Sequence, residues 1–249
     1  RRAEREQWWK RTLWNFERYR VGRFERVSAQ NSVASFVVSA VDKKEIDIDG
    51  VHVLPLGIDT ERFCKGVPSA EPIVVFTGNM AYRPNIEAAI WMARKCWPAV
   101  HSAIQHATLV IAGNRPDSSV KGLESDPSIR VLGQVPEMSK ILQSAQVSVA
   151  PMQSGSGMQF KILEAMACGT PVVTSTVGLG DIKAKPGTDL LVADTPSEFA
   201  KLTSLLLESE ELRNKIGDAG FRFIKKNHTW DAINNSFEDI VFFRSGFRV

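Results

Sequence analysis

Two charged residues stand one helical turn apart in an otherwise apolar stretch: Lys161 and Glu164, in GSGMQFKILEAMACGTPVV, residues 155–173. Charged side chains are rarely buried without a partner, and residues three apart share a helix face. Either the two neutralise each other as a structural ion pair, or they reach toward something polar. In the second case the chemistry is specific. The loop Gly155-Ser156-Gly157-Met158 presents small residues and backbone N–H groups at a helix start, which makes an anion site. Lys161 adds positive charge there. A carboxylate such as Glu164 accepts hydrogen bonds from hydroxyl pairs such as the ribose diol. A nucleoside diphosphate satisfies both residues, with the lysine on phosphate and the glutamate on the sugar. Chemistry alone leaves both readings open, because structural pairs also place charge at such positions.

These residues need a frame that brings loops together. Six short, β-branched, almost continuously apolar runs supply one: IVVFTG (73–78), ATLVIAG (107–113), IRVLG (129–133), VSVAP (147–151), PVVTS (171–175) and LLVAD (190–194). Such runs predict strands covered on both faces. Helical stretches separate most of them, at 84–104, 136–145 and 157–168, and a longer helical tail starts at 195. Alternation of this kind predicts an α/β fold with a doubly wound parallel sheet. Thr195 and Glu198 form a capping box around Pro196. Gly169 reads as the helix C-cap before Pro171. In open α/β sheets ligands bind beyond the carboxyl ends of the strands, so the informative loops follow the strands. They are Gly78-Asn79 up to Asn85 (read as the cap of the next helix), Gly113-Asn114, Gly133-Gln134-Val135, and Pro151 to Met158. Two earlier runs, 34–40 and 51–59, read as strands, and 60–72 as an irregular linker.

Bulk properties exclude several classes. The 249 residues carry a net charge of only +3, and residues 1–26 hold nine Arg/Lys against four Glu. A domain-wide basic surface for nucleic acid is therefore not supported. Cys64, Cys96 and Cys168 are odd in number and widely spaced, which suits a reducing, cytoplasmic setting. His52, His101, His106 and His228 show no metal-ligand spacing. No apolar run is long enough to span a bilayer. The opening residues are charged rather than signal-like, and the lack of an initiating Met suggests a piece of a longer chain. Residues 1–26 interleave Trp8, Trp9, Trp14, Phe16, Tyr19 and Phe24 with arginines. That pattern suits a helix lying on the inner face of a membrane or one packed on a further domain.

KILEAMACGTPVV after a Gly-Ser-Gly loop resembles the donor-site signature of the family 4 glycosyltransferases. VHVLPLGIDTERF resembles their interdomain linker, FTGNMAYRPN the first turn of their C-terminal domain, and SFVVSAVDKKEI the end of their N-terminal one. The likeness covers roughly residues 34–245. It implies the GT-B fold, in which two Rossmann-like domains face each other and the C-terminal one binds a nucleotide-sugar. On that basis 1–59 is a remnant of the acceptor domain, 60–72 the linker, 73–230 the donor domain and 231–249 a helix crossing back. The resemblance assigns Glu164 to the ribose and Gly155, Ser156, Gly157 and Met158 to the diphosphate and sugar. Gly133 and Val135 fall where the base is held, and Gly78 and Asn79 on the first loop of the donor domain. Two departures stand out: Ser156 occupies the place of a second glutamate, and Asn79 that of a common arginine. Lys161 and Arg83 would then supply the positive charge for the leaving diphosphate. The family implies retaining transfer of a sugar to a glycan or lipid-linked acceptor, with no metal or other cofactor. The other reading is a nucleotide-binding or scaffold module of the same fold without transfer activity.

Overall fold

The computed structural model describes residues 8–155 and 157–245, and the side chains of 13–155 and 157–242. It divides into two compact units, residues 1–55 with 234–249, and residues 56–233.

The smaller unit holds α1 (Trp8–Gln30), β1 (Ser35–Val37), α2 (Ala40–Ile46) and β2 (Val51–Val53). β1 and β2 pair in parallel, with Phe36 opposite His52. The strands are shorter than their apolar runs. The expected strand at 34–40 stops at Val37 because Ser39 starts a helix, its hydroxyl accepting the Asp42 N–H at 3.0 Å. This is an N-cap, with Asp42 adding negative charge to the first turn. The run at 51–59 yields strand only over 51–53, just ahead of Pro55.

The larger unit runs β3 (Ile73–Thr77), α3 (Arg83–Trp91), α4 (Trp97–Ala103), β4 (Thr108–Ala112), α5 (Ser118–Lys121), β5 (Ile129–Gly133), α6 (Met138–Ser144), β6 (Val147–Ala150), α7 (Phe160–Ala167), β7 (Val172–Thr174), α8 (Thr176–Leu179), β8 (Leu191–Val192), α9 (Pro196–Glu208) and α10 (Glu210–Asn227). The last helix, α11 (Trp230–Ser245), begins in this unit. Strands β3–β8 form one sheet in the order β5-β4-β3-β6-β7-β8, and every pair in it is parallel. The predicted doubly wound α/β sheet is what forms. From β3 the chain first winds outward through β4 and β5. It then returns to β6 and winds the other way, so the strand order reverses between β3 and β6. In sheets of this kind the loops diverge at that point and leave a crevice.

The central strands β3, β4, β6 and β7 bury both faces, which explains their unbroken apolar runs. The edge strand β5 instead exposes Arg130 and Leu132 on one face. Val74 and Phe76 of β3 point into a cluster with Met92 and Trp97 beneath α3 and α4 and Phe199 of α9. Val75 points into a second cluster with Ile162, Leu163 and Met166 of α7, Leu142 of α6 and Ile224 of α10. Each such Leu, Phe or Met contributes about 1.5–3 kcal/mol by leaving water. The single helix expected over 84–104 is instead α3 and α4 joined by one π-helical turn, Met92–Cys96. Pro98 has no N–H to give to the Arg94 carbonyl, and Trp97 N–H bonds back to the Met92 carbonyl, so the ladder widens by one residue. Gly169 ends α7 at φ +72°, as expected. At the start of α9, Thr195 Oγ accepts the Glu198 N–H at 3.3 Å and donates to its carboxylate at 2.8 Å. Where the chain enters and leaves the unit, Ile58 N–H bonds the His228 carbonyl at 2.7 Å. Buried His228 Nδ1 lies 2.8 Å from the Leu56 carbonyl oxygen.

Candidate functional site

The crevice between the ends of β3 and β6 is bounded by two loops, 78–82 leading into α3 and 151–159 leading into α7. In the first, Asn79 Oδ1 accepts the Ala81 N–H at 3.0 Å, a turn closed by its own side chain. Met80 N–H bonds the Asn114 carbonyl at 2.7 Å, which ties this loop to the one after β4.

Asn85 does not cap α3. The helix starts from Tyr82, whose side chain makes no capping bond, with Pro84 in its first turn. Asn85 is the third residue of the helix, and its side chain is buried. Its Nδ2 donates to the Asn79 carbonyl at 3.0 Å, and its Oδ1 accepts from Lys161 Nζ at 2.8 Å. Gly78 makes the space: a Cβ there would lie 2.8 Å from Asn85 Nδ2.

The Lys161 ammonium thus hydrogen-bonds neutral groups rather than Glu164 directly. Besides Asn85 it donates to Gln159 Oε1 at 3.1 Å. It stands 3.6 Å from Met152 Sδ and 5.6 Å from the centre of the Phe76 ring, within range of a cation–π attraction. Lys161 is 9% exposed. Burial lowers its pKa from 10.5 to about 8, with Glu164 pulling the other way. Half-buried Glu164 is shifted upward by the same desolvation, opposed first by Arg62 and then by Lys161.

Arg83 is different. It is exposed, and its Nε donates to Glu87 Oε1 at 2.8 Å. Glu87 Oε2 in turn accepts from Ser154 Oγ at 3.3 Å. This chain of contacts links α3 to the loop after β6, as does Gly155, where a Cβ would lie 3.8 Å from Pro84 and 3.9 Å from the Tyr82 hydroxyl. Gly155 and Gly157 hold φ of +118° and +80°, values that L side chains rarely adopt. Ser156 lies outside the described residues. Gly133 ends β5 at φ +63°, and its carbonyl accepts the Gly113 N–H at 2.7 Å. Val135 and Met158 pack on the cluster beneath α7. Gly78, Asn79, Arg83, Gly155 and Gly157 to Lys161 therefore converge on the crevice, while Gly133 and Val135 lie two strands away, past β4. Asn85, Glu87 and Gln159 complete these contacts, and their spacing in the sequence carried no sign of it. Among the described residues no three His, Cys, Asp or Glu side chains come together to hold a metal ion.

The model of the family described as Glycosyl transferases group 1 matches residues 71–209, and the chain belongs to that family. It forms a GT-B glycosyltransferase domain. Over 215 residues it is 26% identical to the GDP-mannose-dependent monoacylated alpha-(1-6)-phosphatidylinositol monomannoside mannosyltransferase of Corynebacterium glutamicum, covering 76% of this chain and 55% of that protein. The chain thus spans about half the length of that curated relative. Among solved structures, TarM superposes with a TM-score of 0.74 at 15% identity, over 88% of this chain and 45% of TarM. Anabaena HepE, solved in complex with UDP and glucose, superposes with a TM-score of 0.71 at 14% identity, over 88% and 66%. These two likenesses speak to fold.

Proposed function

We propose that this chain carries the donor half of an enzyme that moves a hexose from a nucleoside-diphosphate sugar to a glycan or lipid-linked acceptor, with retention and without a metal. The observation that carries the reading is the crevice where the strand order reverses. There a glycine loop opens onto α7, whose first turn carries Lys161 and whose next turn carries Glu164. Glu164 accepts from the ribose hydroxyls. Gly155, Ser156, Gly157 and Met158 lie along the diphosphate and sugar, with Gly78 and Asn79 opposite, and Gly133 and Val135 take the base. As the bond from the sugar C1 to the diphosphate oxygen breaks, negative charge grows on the leaving group. The positive end of α7, the Lys161 ammonium and Arg83 stabilise that charge, which is usually the largest catalytic contribution. The mannosyltransferase activity for which the Corynebacterium relative is named and the UDP and glucose held by HepE support this reading.

Exposed Trp14, Tyr19 and Phe24 on α1, interleaved with arginines, support peripheral contact with an anionic membrane on the cytoplasmic side. No helix among the described residues is long and apolar enough to cross one.

Calorimetric titration with UDP, GDP and ADP tests the donor site. One nucleotide binds in the micromolar range, and Glu164→Ala loses it. Absence of binding by all three, with the full-length protein also silent, favours the scaffold reading, for which Ser156 and Asn79 already speak.

A further inference from the structure

We propose that Asn85 is a positioning residue of this donor site: its amide latches the loop after β3 to the start of α7, and so fixes both the spacing of the two crevice walls and the place of the Lys161 ammonium. The inference rests on the donor-site reading above.

The latch has one workable orientation. An ammonium only donates, so the amide must turn its oxygen to Lys161, which leaves its N–H for an acceptor on the other side. The Asn79 carbonyl is that acceptor. The residues joined are 76 apart in sequence, and they belong to the helices that follow the two strands, β3 and β6, between which the order reverses. Gly78 leaves room for the amide, and Gln159 at the start of α7 gives the ammonium a second acceptor. Both acceptors are neutral. A cation held by neutral groups keeps its field for an anion arriving in the crevice, whereas a carboxylate partner would cancel much of it.

The charged groups that bear on this ammonium are few. Glu164 comes from its own helix, with Arg62 acting on Glu164. α3 contributes neutral Asn85 and the exposed Arg83–Glu87 pair; β3 contributes Phe76, and the loop after β6 contributes Met152 and Gln159. A terminal phosphate has its last pKa near 6. The ring N–H of uracil or guanine, which ionises in the alkaline range, is the same for every variant, so a difference between wild type and variant in the alkaline limb reports on the protein.

The test titrates UDP, GDP and ADP from pH 6.5 to 10 against the wild-type chain, Asn85→Leu and Asn85→Asp. Asn85→Leu removes both bonds and weakens the bound nucleotide about tenfold or more. Wild-type affinity falls as Lys161 loses its proton near pH 8. In Asn85→Asp the new carboxylate holds that proton and moves the fall to higher pH, a shift that a purely structural contact would not produce. Should Asn85→Leu not fold, the alkaline limb of Asn85→Asp decides. Wild-type affinity and an unmoved limb in the variants overturn the latch. Failure of the underlying reading looks different: the wild-type chain itself then binds none of the three nucleotides at any pH, and the latch's role falls with it.

Discussion

The starts of α3 and α7 face each other across one crevice, and each brings a cation to it. At α3 the cation is Arg83, exposed and paired with Glu87 at 2.8 Å. At α7 it is Lys161, buried and held by two neutral acceptors. Both are written in the sequence as a basic residue near a helix N-terminus, where its charge opposes the helix dipole. Water and Glu87 screen the first. Desolvation leaves the second with a costly charge whose field is little screened. The cost to folding and the pull on an anion at Lys161 therefore have the same origin.

The largest consequence is a dependence of stability on pH. The folded-state pKa of Lys161 is about 8 against 10.5 for the free side chain, so between these values the unfolded chain binds more protons. Stability then rises with pH across that window, and the penalty is fully present below pH 8. Denaturant unfolding of wild type and Lys161→Met at pH 7.5 and 10.5 is expected to show wild type gaining on the variant by up to about 3 kcal/mol. Parallel curves would place the lysine in water and dissolve the contrast with Arg83.

Next in size is the effect of Lys161→Met on nucleotide-diphosphate affinity. Loss of a charge-assisted interaction weakens binding about thirtyfold, measured by calorimetry at pH 7. Unchanged affinity would mean that the buried cation serves the fold alone. Gly78→Ala comes third. Its Cβ would press on Asn85 Nδ2, and a shift of a well-packed amide costs about 1–2 kcal/mol in thermal or denaturant unfolding. Full wild-type stability would show that the α3 wall yields easily. The smallest effects belong to the exposed side. Arg83→Gln is expected to change nucleotide affinity by less than about threefold, and Glu87→Gln to strengthen it by a similar factor. A tenfold loss in Arg83→Gln would reverse the ranking of the two cations.

Much of the frame was legible because its signals are local. The runs that became β3, β4, β6 and β7 announce burial on both faces, whereas that of β5 proved an edge strand with Leu132 exposed. Thr195 and Gly169 mark helix ends within a few residues of themselves. Asn85 was misread for the same reason. Asparagine near a helix start is a common cap, and its partner lies on α7, far along the chain. The π-helical turn at Met92–Cys96 escaped because Pro98 need not break a helix when the ladder can shift by one residue.

The sequence by itself determined the parallel α/β sheet, the edge at which its loops open, and the types of residue brought there. Those follow from apolar periodicity and from the conformations open to glycine and proline, which act over a few residues. Only the tertiary structure decided that Arg83 meets Glu87 and stays in water, while Lys161 meets Asn85 and loses it. Burial and partner choice depend on which distant segments the reversal of strand order sets side by side. They also set how far a charge reaches, and that is not a property of any local stretch of chain.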